Sequence, residues 1–272
     1  RSGVGSSFKK YTRGEEPSHL VESALAKFRD LPGLNITVLS DVRQGTGLGG
    51  SSALVVALCK GLDQAVGASM TNRELIGIAY EIERIDFGIR GGWQDFLPAA
   101  YGGSILSTYD HRGVGVFKLD YGHSFTSAVS SQLFLSKVGG SRSSSKIHQK
   151  HMVGNKLSRE FMGDLDKLSC LAEQTVKKLS GEEFIDFGRI LDMGWDIKRR
   201  EGHLISPPKI SERYDTLKRI GASGARLLGA GGAGYFLCSV ELEKQPEFLA
   251  SCDRMKIPIE RVALAMEGCQ IC

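Results

Sequence analysis

GTGLGGSSAL, residues 45–54, sets four glycines and two serines directly ahead of the apolar run Ala53–Leu58, which reads as the start of a buried helix. Glycine lets a loop adopt backbone angles that other residues avoid, and it lets main-chain N–H groups approach a ligand closely. The first turn of a helix also offers unpaired N–H groups and the positive end of its dipole, a combination that favours phosphate. Ser51 and Ser52 are placed either to cap that helix or to reach a metal riding on the phosphates. A P-loop would carry Gly-Lys-Ser/Thr here, and no lysine follows these glycines. Two readings stay open on the loop alone: a phosphate cradle, or a flexible turn with a serine N-cap.

The chain around this loop has 272 residues, enough for one large core or two ordinary ones, and two domains are expected. A hydrophobic content of 41%, a charged content of 24% and a net charge of +4 are those of a globular protein. The basic residues form no dense run, so charge gives no reason to expect nucleic acid. The apolar run Ala53–Cys59 is far too short to span a bilayer, and no membrane partner is expected. Cys59 and Cys238 lie inside apolar runs, which suits reduced thiols and a cytoplasmic protein better than a disulfide framework. Cys269 and Cys272 have Cys-x-x-Cys spacing without a second ligand pair, so no zinc site is inferred.

Residues 18–28 have helical apolar spacing, and Leu34–Leu39 alternates like a strand. A helix is expected after the glycine loop, to about Val66, and Thr71 with Glu74 forms a capping box for another over Asn72–Asp86. Strand patterns recur at Gly103–Tyr109, Val114–Leu119, Gln132–Lys137, Tyr235–Val240 and Ile259–Ala265. Helical patterns cover Leu157–Leu179, Phe184–Arg199, Ile210–Ile220 and Gln245–Cys252. Without strict βαβ alternation this is an α+β pattern. The small, polar residues 122–130 suggest the boundary, dividing the chain into 1–126 and 127–272.

Two carboxylates bear on the chemistry. Glu83 lies near the end of the Asn72–Asp86 helix and Asp95 lies beyond the turn GIRGGWQDF, with Gly88, Gly91 and Gly92 between them. Such a turn can fold back and bring both beside the first loop, where one would hold magnesium and the other would orient an attacking hydroxyl. The plainer alternatives are a solvated Glu83 paired with Arg73 or Arg84, and an Asp95 that caps the next helix.

GTGLGGSSA, the segment IER with GGWQD, and LLGAGGAG occur in the order and spacing of the second motif, catalytic segment and third motif of the GHMP kinases, which this chain resembles. Within that superfamily LGGSSALVVAL, AYEIERIDFGIRGGWQD and AAYGG are most similar to D-glycero-D-manno-heptose 7-phosphate kinases and fucokinase domains. The resemblance implies an N-terminal domain of the ribosomal S5 domain 2-like type, followed by a ferredoxin-like C-terminal domain. It implies that Gly45, Gly47, Leu48, Gly49, Gly50, Ser51, Ser52 and Ala53 hold the ATP phosphates, that Ser51 and Glu83 hold Mg2+, and that Asp95 is the catalytic aspartate. Gly229, Gly231, Gly232 and Gly234 would form the loop that packs against the active site, with Gly231 and Gly232 toward the substrate.

Departures from the pattern are visible. Arg43 or Gln44 replaces the usual proline, Gly50 replaces the first serine, and Ala233 replaces a glycine, which is tolerable if its φ is negative. The family's first motif is missing: the chain begins at Arg1 and only about forty residues precede the loop. An N-terminally truncated first domain is therefore expected.

The function these readings imply is ATP-dependent transfer of the γ-phosphoryl group to a sugar hydroxyl, the anomeric one of a heptose 7-phosphate. The alternatives are a fucokinase-type enzyme acting on a free sugar, and an inactive sugar- or nucleotide-binding protein of the same fold. Trp93 is a candidate ring face for the sugar, with a core or rim aromatic as its alternative. Arg142 and Ser144, in the basic, serine-rich segment Ser141–His151, are candidates for a substrate phosphate, with a solvated basic face as the alternative. The expected partners are ATP and a small sugar or sugar phosphate, and a homodimer is left open.

Overall fold

A computed structural model describes residues 20–42, 45–89, 91–111, 113–139, 152–153, 156–180, 186–200 and 205–272. Arg142 and Ser144 lie outside the described residues. Two cores are present, one drawn almost wholly from residues before 117 and the other from residues 134–259.

The first core is helical. α1 (Leu20–Lys27), α2 (Gly50–Ala65), α3 (Asn72–Tyr80) and α4 (Phe96–Tyr101) pack together. α2 runs through the middle because Val55, Val56, Cys59 and Leu62 recur at helical spacing, and all four are buried. α3 opens with the expected capping box of Thr71 and Glu74. It continues into a π-helical turn over Glu81–Asp86, so the helix expected over 72–86 changes its winding at residue 81. The antiparallel hairpin β1 (Ser104–Asp110) and β2 (Gly113–Leu119) lays Ile105, Val114 and Val116 on this core.

The strand expected over Leu34–Leu39 does not form. The alternation is there, but among the described residues no strand lies alongside to complete its hydrogen bonds. Leu34 is 41% exposed and Leu39 is 87% exposed.

α5 (Gly122–Gln132) leads to the second core. The polar, small residues expected to form a boundary are therefore a helix, and residue 126 falls inside it. The second domain is an antiparallel sheet of β3 (Leu133–Gly139), β6 (Gly224–Leu227), β7 (Gly234–Ser239) and β8 (Ile259–Arg261), in the order β6-β7-β3-β8. That is the ferredoxin-like order, with helices inserted after its first and third strands. A small hairpin, β4 (Met152–Val153) with β5 (Lys156–Leu157), stands apart from this sheet. α6 (Arg159–Ser180) packs on α7 (Phe187–Arg199). α7, α8 (Pro208–Arg219) and α9 (Gln245–Arg254) bring Trp195, Tyr214, Leu217 and Phe248 onto Phe134, Ala225, Leu227, Phe236 and Cys238. Burial pushes the Cys59 and Cys238 thiols up to about 12, which leaves them inert.

Beyond β8 the chain returns to the first domain. Gly103 donates its N–H to the Ala265 carbonyl and Cys269 donates to that of Ala99, both at 2.8 Å. Gly268 lies so close to the Ala100 carbonyl that a Cβ on it would sit 2.1 Å from that oxygen. Among the described residues α5 and residues 262–272 both join the two domains. Among the described residues no helix is long and apolar enough to cross a membrane.

Candidate active site

The first glycine loop enters α2 with Gly49 in the left-handed region at φ 70°, and no side chain caps the helix. Ser51 and Ser52 therefore lie within the first turn, not at the cap. Their hydroxyls turn onto one carboxylate: Ser51 Oγ donates to Glu83 Oε1 at 2.6 Å and Ser52 Oγ to Glu83 Oε2 at 2.7 Å. Glu83 is only 1% exposed, which removes the solvated-face alternative. Its burial follows from the π-helical turn, which places both Ile82 and Glu83 inside while Ile85 is 67% exposed.

Asp95 occupies the position before α4, but its side chain makes no capping hydrogen bond, so the capping alternative also fails. Its carboxylate lies against the glycine loop, where a Cβ on Gly49 would be 3.4 Å from Asp95 Cγ. Gly49 is thus the close approach that seats the aspartate on the loop. Burial raises the Asp95 pKa above the ordinary aspartate value. Arg84 and Lys198 pull it back down, and Glu83 pushes it further up.

The third glycine cluster arrives from the second domain. A Cβ on Gly229, whose φ is +66°, would lie 2.5 Å from Gly47 Cα, so the two glycine loops touch backbone to backbone. Ala233 is not among the residues with positive φ, as its tolerance requires. Gly231 packs on Ile205, and the Gly232 N–H is bonded to the Ile205 carbonyl at 2.7 Å.

Trp93 stacks on Tyr80 with ring centroids 3.8 Å apart and planes 8° apart, so one of its faces is already covered. Three further residues join the site. Lys198 of α7 donates to the Gly229 carbonyl and lies close enough to Asp95 to act on its charge. Tyr109 of β1 is half exposed and near enough to Asp95 to feel its charge. Burial raises the phenol pKa most, the hydrogen bond that Ser107 donates to its hydroxyl at 3.1 Å lowers it, and the Asp95 charge raises it further. Arg84 contacts Glu83 at 3.2 Å. Only Arg84 had a local signal, its place beside Glu83; the other two reach the site through tertiary packing.

Among the described residues no group of three His, Cys, Asp or Glu is arranged to hold a metal. Glu83 with Ser51 is instead a pair of hard oxygen donors beside the first glycine loop. That suits Mg2+, which takes one or two protein ligands and completes its shell with phosphates and water.

A phosphate-type glycine loop on a helix N-terminus, two converging carboxylates and a second glycine loop from a ferredoxin-like domain define a two-domain α+β protein built for phosphoryl transfer. The GHMP kinases N-terminal domain matches residues 19–103, and the GHMP kinases C-terminal domain matches residues 175–251. The chain belongs to the GHMP kinases, a family of ATP-dependent kinases.

Among its relatives is the D-glycero-alpha-D-manno-heptose 7-phosphate kinase of Campylobacter jejuni, 28% identical over 84% of this chain and 68% of that protein. The bifunctional fucokinase/GDP-fucose pyrophosphorylase of Arabidopsis thaliana is 29% identical over 82% of this chain, which spans 22% of its length. A crystal structure of a D-glycero-D-manno-heptose 1-phosphate kinase from Bacteroides thetaiotaomicron superposes with a TM-score of 0.71 at 24% identity. The match covers 92% of this chain and 72% of that one, and it establishes the shared fold.

Proposed function

We propose that the chain is a magnesium-dependent sugar kinase that moves the γ-phosphoryl group of ATP to a sugar hydroxyl, with the anomeric hydroxyl of D-glycero-D-manno-heptose 7-phosphate as acceptor. The observation that carries the reaction type is the bonding of Ser51 and Ser52 to Glu83 at the mouth of the glycine loop, with Asp95 seated on Gly49. The Campylobacter relative supports the choice of sugar phosphate.

The amides of residues 45–53 and the α2 dipole hold the nucleotide phosphates. Ser51 and Glu83 would hold Mg2+, which neutralises developing phosphate charge when bound. Asp95 accepts or orients the proton of the attacking hydroxyl as the new O–P bond forms and the bond to the leaving diphosphate breaks. Lys198 and Tyr109 border the same space, supplying a cation and a hydroxyl for the transferring group and the sugar. The same reading divides the chain into a nucleotide-binding domain over residues 1–126 and a second domain over 127–272, in a cytoplasmic protein.

Steady-state turnover against heptose 7-phosphate, heptose 1-phosphate, fucose and mevalonate tests this. The heptose 7-phosphate should give the highest kcat/KM. Preference for free fucose would transfer the assignment to the fucokinase type, which the Arabidopsis relative favours. Nucleotide binding without turnover of any sugar would make the chain a binding protein.

A further inference from the structure

The arginine beside Glu83 is more deeply engaged than its place in the sequence announces. The Arg84 side chain is 8% exposed. Nη1 lies 3.2 Å from Glu83 Oε1 and donates to the Ile89 carbonyl at 3.3 Å. Nη2 donates to Ser52 Oγ and to the Gly92 carbonyl, each at 3.4 Å. Cζ sits 4.8 Å over the ring of Phe96, the residue after Asp95. Gly91 also closes on the group, where a Cβ would be 2.9 Å from Cζ. One guanidinium therefore touches the carboxylate of Glu83, a phosphate-loop serine, two carbonyls of the turn that precedes Asp95, and the ring that follows it.

We propose that Arg84 is the positioning residue that folds residues 85–95 back onto the phosphate loop and holds Glu83 and Asp95 around one reaction space. The proposal rests on the kinase reading above. Two carboxylates brought to one buried place repel each other, and a cation in contact with one and within electrostatic reach of the other offsets that cost. A planar fork with five donors can bond a carboxylate and two carbonyls at once, whereas an ammonium on a flexible stem cannot hold that arrangement. The contacts are long for charge-assisted bonds, so the hold is shared among many partners. Consistently, Arg84 is the largest influence that lowers the Asp95 pKa against its burial.

The test compares the full chain with Arg84→Met, Arg84→Lys and Gly91→Ala. The last keeps the charge but pushes the guanidinium out of place. Hydrogen exchange of the peptide covering residues 85–95 is read without nucleotide, together with kcat and KM for ATP. Arg84→Met and Gly91→Ala should speed exchange in this peptide by about tenfold while peptides of α8 and α9 stay protected. Arg84→Met should lower kcat by about a hundredfold with KM for ATP within about threefold, because misplacement acts on the transition state. Arg84→Lys should recover less than about a tenth of that loss.

Wild-type exchange in residues 85–95 of Arg84→Met, or full rescue of kcat by lysine, would overturn the proposal. If Arg84→Met does not fold, Gly91→Ala decides alone: unchanged exchange overturns the proposal and faster local exchange supports it. A wild-type chain that turns over no sugar would refute the kinase reading, and the exchange measurement would still decide the role of Arg84.

Discussion

Asp95 combines burial with a place in the reaction we propose that calls for an ionised carboxylate, and the two have opposite consequences. Because its pKa is raised above 3.8 in the folded protein, the stability tied to its proton is present below 3.8 and lost as pH rises through the folded value. Asp95→Asn should therefore raise the melting temperature at pH 7 while lowering kcat by about 10²–10⁴-fold, with nucleotide affinity within about threefold of the parent. Turnover in the parent should fall as pH drops through a value above the usual aspartate range. A kcat of the variant near the parent's would remove Asp95 from the reaction. Ser51→Ala and Glu83→Gln should each raise the magnesium concentration for half-maximal activity, and the double variant should show less than the sum of the two effects. Lys198→Met should reduce kcat by about a hundredfold without loss of folding, read by single-turnover kinetics and circular dichroism.

At the scale of elements, the glycine loops show where the sequence speaks and where it is silent. The glycine loop running into α2 was legible because helix-start chemistry is local. The burial of Glu83 on Ser51 and Ser52 was not, since a solvated Glu83 fitted the same residues and only the resemblance favoured the other reading. Lys198 and Tyr109 were not, because nothing in their own surroundings says which distant loop they face. β6 lay hidden inside a glycine cluster, since Gly224 reads as a breaker until its backbone packs on Gly188. α5 lay hidden in polar residues whose helix depends on its neighbours. Leu34–Leu39 failed the other way, because alternation alone cannot supply a partner strand. The contact between Gly47 and Gly229 gives the element-scale prediction. Gly229→Ala places a Cβ against backbone in the left-handed region and should cost about 2–4 kcal/mol, measured by denaturant midpoint. Thr71→Ala, which removes the capping box of α3 far from the loops, should cost about 1 kcal/mol and leave kcat unchanged.

The proposed site depends on contact between the two domains, since the first glycine loop belongs to one and Lys198 with Gly229 to the other. Residues 262–272 reinforce that contact by returning to α4 and to Gly103 just ahead of β1. Gly268→Val, which drives a side chain into the Ala100 carbonyl, should lower the unfolding midpoint and weaken ATP-dependent turnover together. If the midpoint falls and the specific activity of the folded fraction is unchanged, the return segment stabilises the first domain alone.

One covalent crossing, α5, and one docked return, residues 262–272, also constrain how the two domains can move against each other. Domains tied at a single point can swivel in any direction, but domains tied at two points rotate easily only about the line through both, as a book opens on its spine. Substrate entry and product release should therefore follow one angular coordinate, set by α5 on one side and by residues 262–269 on the other. The glycine loops that meet between the domains would part and rejoin along a single arc, so each closure returns Lys198 to the same place within reach of the Asp95 charge.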